Sequence, residues 1–159
     1  FATGNTNFNV VVNGGLTAAA LAFSDIYPDI CFDAASQSIK SLGKMLPNFE
    51  PDGGWIEGPN YWNYATQYLA HMVGALETAC GTSYGILTHP GVAATPYYAL
   101  YLESHQGINN FSDTAHMDGW NSFQFGTFGR YMNDKALTYQ RYKKRQYKNK
   151  YKPASHSHT

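Results

Sequence analysis

Residues 52–80 read DGGWIEGPNYWNYATQYLAHMVGALETAC, and this stretch decides the fold. Its first part lies within 47–59, a segment with three prolines and three glycines that cannot continue a helix and reads as a loop. From residue 60 the pattern changes. Tyr61, Tyr64, Tyr68, Met72 and Leu76 recur at steps of three and four, and Gly81 supplies a stop, so the spacing predicts a helix over 60–80. The N-terminus of that helix faces the glycine-rich loop.

Upstream, FNVVVNGGLTAAALAF from Phe8 to Phe23 is apolar almost all round and reads as a buried helix interrupted at Asn13-Gly14-Gly15. Adjacent glycines cost a helix about 1 kcal/mol each and are kept where another backbone or a ligand comes close. Pro28 opens an amphipathic helix of about 17 residues with Ile30, Ala34, Ala35, Ile39 and Leu42 on one face. Downstream, a helix is predicted to begin at Pro96, a polar stretch follows, and an aromatic helix is predicted near WNSFQFGTFGRYM, 120–132. All the predicted regular structure is helical. Helices of about 15 residues on alternating short and long loops suggest antiparallel αα-hairpins, as in bundles, solenoids and closed toroids.

The chain's 159 residues suit one domain with a real core. Aromatic residues make up 16%, including 13 tyrosines, while charged residues are only 14% against a usual figure of about 25%. Such a bias fits either a tyrosine-rich core or a cleft in which rings pack on one face and hydrogen-bond on the other. All eleven acidic residues lie at or before Asp134, with three basic ones, so the body carries −8 and the remainder +8. An acidic body favours neither nucleic acid nor long-range steering of a polyanion. The chain therefore divides into a body, 1–134, and a basic tail, 135–159, expected to be disordered; a tyrosine-interleaved basic strip is alternatively an anion-binding one. No apolar run reaches the roughly 20 residues of a membrane span. Phe1 looks like a cut inside a longer protein. Cys31 and Cys80 show no CxxC spacing and are expected to be buried free thiols, with a disulfide as the alternative.

The densest chemistry lies between Asp52 and Ala65. Helix-start amides there favour an anion, and Trp55, Tyr61 and Trp62 are rings that could stack on sugar faces. In the plainer reading Glu57 caps the following helix and the rings fill the core. His105, Asp113, His116 and Asp118 offer ligand types without a recognised metal spacing, so a solvated loop is expected and no metal or cofactor. There is no GxSxG nucleophile elbow.

DGGWIEGPNYWNYATQYL, then ALETACGTSYGIL and HPGVAATPYYALYL, resembles the heparinase II/III-like polysaccharide lyases and related alginate lyases. TNFNVVVNGGLTAAALAFSD is similar to that family's segment opening another toroid helix, so the likeness runs in family order over about residues 3–115. The resemblance implies an all-α fold, part of an (α/α) toroid, and β-elimination of a uronate-containing acidic polysaccharide. It implies Asn7 as the group that neutralises the uronate carboxylate and Tyr64 as acid or base, with Tyr61 in reserve. Glu57 joins the catalytic set, and Trp55, Trp62, Asn60 and Asn9 join as substrate contacts. It also implies a periplasmic or extracellular setting, and flanking toroid and β-sandwich parts, the latter with a catalytic histidine. Two departures stand out. Phe8 occupies a position where Trp is common, and no arginine precedes Arg130 to lower a tyrosine pKa. The alternatives are a non-catalytic glycan-binding toroid domain, a purely structural αα-repeat piece, and a glycoside hydrolase using Glu57 and Asp52.

Overall fold

The computed structural model describes residues 4–115, 117, 119, 120 and 123–140. The fold is all-α apart from a two-stranded hairpin. Helix α1 spans Asn7–Phe23, α2 Pro28–Met45, α3 Pro59–Cys80, α4 Pro90–Leu102 and α5 Phe123–Tyr131. A 3-10 turn, Leu46–Phe49, follows α2, and β1 (Glu103–Ser104) pairs antiparallel with β2 (Gly107–Ile108).

Three helices share one direction. Asn7 meets Glu57 just before α3, Gly14 abuts Tyr68, and Ala20 and Leu21 share a groove with Leu76 and Cys80, so α1 and α3 run parallel. Along α3 and α5, His71 meets Phe123 and Thr78 meets Tyr131, so α5 runs parallel as well. The chain reverses between them. α2 returns antiparallel to α1, ending where Asn48 Nδ2 donates to the Asn5 carbonyl at 3.1 Å. α4 brings Thr95 and Tyr98 back to Trp62 near the start of α3.

The core is centred on α3. Trp62 is 0% exposed and contacts the rings of Tyr98, Trp120 and Phe125. Phe49, Leu42, Met45, Leu69, Val73 and Phe128 complete the same cluster. A relay fixes the loop before α3: Trp62 Nε1–H donates to Thr95 Oγ1 at 2.7 Å, and that hydroxyl donates to the Gly53 carbonyl at 2.6 Å. Both polar ends of this buried pair are thereby satisfied.

Several sequence expectations need correcting. α1 is not interrupted at its glycines. A Cβ on Gly14 would stand 2.8 Å from the Tyr68 carbonyl oxygen, so Gly14 admits the α3 backbone without breaking the helix. Nor is α1 enclosed on all sides, since Phe8, Val12 and Phe23 are exposed. In α2 the inward residues are Cys31, Ser38, Ser41, Leu42 and Met45, while Ile30 is 71% exposed. α4 begins at Pro90 and carries Pro96 inside it, because Pro90 takes the first-turn position that suits proline. The break at Asp134 does not end regular structure. Residues 135–140 are helical, Asp134 Oδ1 accepts from the amides of Ala136 and Leu137, and Leu137 is buried. Residues 141–159 of the expected tail lie outside the described residues. Both cysteines are free, but Cys80 is exposed rather than buried.

Candidate functional site

The start of α1 has orphan amides and no acidic residue in its first turn. Glu57 fills that gap from 50 residues away. Its Oε2 accepts the Asn7 backbone N–H at 2.9 Å and Trp55 Nε1–H at 3.1 Å. A carboxylate at a helix N-terminus also meets the positive end of the dipole. Glu57 therefore caps α1, not the α3 helix it precedes in sequence. The cap of α3 comes from Thr114, whose Oγ1 accepts the Asn60 N–H at 3.1 Å. Gly58 sits between them at φ 88, with Thr114 and the Phe111 carbonyl packed where a side chain would go.

This junction brings Asn7, Glu57 and the Trp55 indole N–H together, and the other predicted groups take places of their own. Asn7 is only 3% exposed, and Asn9 is buried, donating from Nδ2 to the Gly4 carbonyl and accepting from Asn13. Trp55 is buried against Phe49 with ring centroids 4.7 Å apart, and Trp62 is the centre of the core. Neither indole presents a face to a sugar, which corrects the expectation for both; the plainer reading, rings in the core, holds for them. Asn60 is exposed. Tyr61 is half-buried against the core, and Asp52 is exposed, accepting the Gly54 N–H within its own turn.

Tyr64 lies open, at 42% exposure. It begins a row that was not foreseen. Tyr64 and Tyr68 meet edge-to-face at 5.4 Å, Tyr68 and His71 at 6.4 Å, and His71 stacks on Phe123 of α5 at 4.4 Å. α1 flanks the row at Gly14 beside Tyr68, and α5 closes its far end. The 3- and 4-residue spacing of Tyr64, Tyr68 and His71 on one helix was the available signal; the partnership with Phe123 needed the fold. Beneath it, Gln124 Nε2 donates to Asn63 Oδ1 at 2.8 Å and ties α5 to α3.

The electrostatics restrict what Tyr64 can do. Lost hydration, and then the neighbouring Tyr68, raise its pKa above the ordinary 10.0. The phenol is therefore protonated at neutral pH and suited to donate a proton rather than to take one. Neither α1 nor α3 contains a lysine or arginine to reverse that shift. No group of three or more histidine, cysteine, aspartate or glutamate side chains suited to a metal occurs among the described residues, and His116 and Asp118 lie outside them. No helix among the described residues is long and apolar enough to cross a membrane. Compared with known proteins, the chain matches no family model and no curated sequence.

Proposed function

We propose that the chain is part of an α/α-toroid polysaccharide lyase that acts on a uronate-containing acidic polysaccharide. The observation that carries this reading is the ring row Tyr64–Tyr68–His71–Phe123, part-exposed and leading along α3 between α1 and α5. Rings in a row offer successive sugars an apolar face with hydroxyls at its edge. The parallel α1, α3 and α5, with α2 returning between the first two, support a toroid whose inner helices open on one mouth. Tyr64, held protonated, would serve as the acid that delivers a proton to the departing sugar oxygen. Asn7, for which the resemblance implies carboxylate neutralisation, is 3% exposed beside Glu57, so that role requires its side chain to be uncovered when substrate binds. Proton abstraction requires a second group, which the ring row does not assign.

Elimination creates a conjugated double bond, and hydrolysis does not, so ultraviolet absorbance of the product tests the reaction. Assayed in the full reading frame containing this chain, with alginate and glycosaminoglycans as substrates, Tyr64→Phe should lower elimination by at least roughly 10²-fold with near-normal binding. Asn7→Ala tests the second role in the same assay. Absence of elimination products, or full activity in Tyr64→Phe, overturns the lyase reading. Glycan binding without product would leave the non-catalytic reading. Glu57 and Asp52 both serve backbone amides, which weakens the hydrolase alternative.

A further inference from the structure

The outer face of α2 carries a charge pattern that the proposed site does not use. Asp29, Asp33, Ser36, Lys40 and Lys44 follow one another at spacings of four, three, four and four, which places them on one stripe of the helix. The stripe lies opposite the inward Cys31, Ser38 and Met45. Its four charged residues are exposed, and none has an ion-pair partner among the described residues. Within the helix, Asp29 and Asp33 repel each other at i, i+4, and so do Lys40 and Lys44. The helix dipole accounts for Asp29 in the first turn and Lys44 in the last. Its effect fades within one turn, so Asp33 and Lys40 are left without a reason in the isolated chain.

We propose that α2 is a homodimer interface, packing antiparallel against α2 of a second copy about a two-fold axis between Ser36 and Gln37. The stripe is self-complementary only in that arrangement. Both acid–base pairs, Asp33 with the partner's Lys40 and Asp29 with the partner's Lys44, are centred on the same point of the helix, and the two-fold operation repeats each. An isologous contact requires this kind of self-matching patch. The apolar surface lies where such a contact would use it. Phe32, 73% exposed, flanks the stripe and borders a groove of about 560 Å³ whose walls include Ala35, Ile39, Leu76 and Tyr84. At the antiparallel register the partner's Phe32 falls beside Ile39 and Lys40, at the basic end of that groove. Ser36 at the axis is small enough for the two helices to approach closely.

Sedimentation velocity on the 159-residue chain, in reducing buffer so that Cys80 cannot cross-link, should show a concentration-dependent dimer that weakens with added salt. The double variants Asp29→Lys/Asp33→Lys and Lys40→Glu/Lys44→Glu should each weaken the dimer by roughly 10²-fold, because four attractions become repulsions. Mixed in equal amounts, the two variants should dimerise again, since the all-basic stripe of one meets the all-acidic stripe of the other. Circular dichroism confirms that each variant is folded before it is compared, and a Phe32→Asp chain, with the stripe charges unchanged, provides a second disruption should either double variant unfold. A wild-type chain that stays monomeric overturns the proposal and leaves the face to a partner of another kind. A dimer indifferent to the charge reversals, or variants that fail to pair on mixing, overturns the antiparallel register.

Discussion

The start of α3 and the α1–α2 hairpin are built from similar apolar and aromatic residues, yet they treat them in opposite ways. Around Trp62 the rings of Trp120 and Phe125 are enclosed, Tyr98 is half-buried, and the indole N–H is passed through Thr95 to the Gly53 carbonyl. Along the hairpin Phe23, Ile26, Tyr27, Ile30 and Phe32 face outward. The difference is one of partners rather than hydropathy. α3 is packed along α1 and α5 and met at Trp62 by Thr95 and Tyr98 of α4, whereas the outer side of α2 has no element of the described structure over it. Apolar residues thus mark two kinds of surface here, one already closed and one suited to association.

The sharpest way to break this contrast is at its enclosed end. Trp62→Ala should cost about 3–5 kcal/mol, combining lost burial with a cavity among Tyr98, Trp120 and Phe125 and the loss of the indole donor to Thr95, and chemical denaturation would measure it. A smaller loss is expected at the junction. Glu57→Ala leaves the Asn7 amide and the Trp55 indole N–H without their acceptor and should cost roughly 1.5–3 kcal/mol, with amide exchange accelerated at the start of α1 rather than of α3.

Alkaline titration probes the same core more gently. Burial pushes the Tyr98 phenol up to about 12, outweighing a backbone interaction with Trp55 that lowers it. A raised folded-state value means that this group's contribution is complete below the unfolded pKa near 10 and is lost as pH rises towards 12. Thermal midpoints should fall across that window, and Tyr98→Phe should flatten part of the fall while leaving the midpoint at pH 8 nearly unchanged. The open end should respond least. Ile30→Ser is expected to stay within about 0.5 kcal/mol of the parent chain in the same denaturation measurement, and a large loss would show that Ile30 is not a surface residue.

Helical periodicity was legible in the sequence because Tyr61 to Leu76 repeat at the helix spacing, and Gly14 announced a close backbone approach that the structure supplies at Tyr68. What could not be read was long-range. Glu57 stands one residue before the Gly58-Pro59 start of a helix, so local logic assigned it to α3, while its partner amide lies 50 residues upstream. Trp55 and Trp62 carry the same chemistry whether stacked on sugar or enclosed, and only the positions of Phe49, Trp120 and Phe125 decide between the two. The Pro96 assignment failed because a proline inside a helix resembles one that begins it. Leu137, the one leucine after Leu102, gave no periodic signal before its burial was visible.

The bond between Asn7 and Glu57 also bears on how fast the molecule can assemble. The α1–α2 hairpin closes over a few residues, but joining the α1 and α3 starts closes a loop of 50, and Gln124 with Asn63 closes one of 61. Loop-closure entropy grows only with the logarithm of length, so these closures cost little more than loops half as long. They nevertheless come before the contacts that reward them. Folding should therefore be slower than in a helical bundle of the same size that is held by neighbouring hairpins alone, and shortening the 81–89 connection should ease only the closure of Gln124 on Asn63, because that segment lies outside the loop that Glu57 must close.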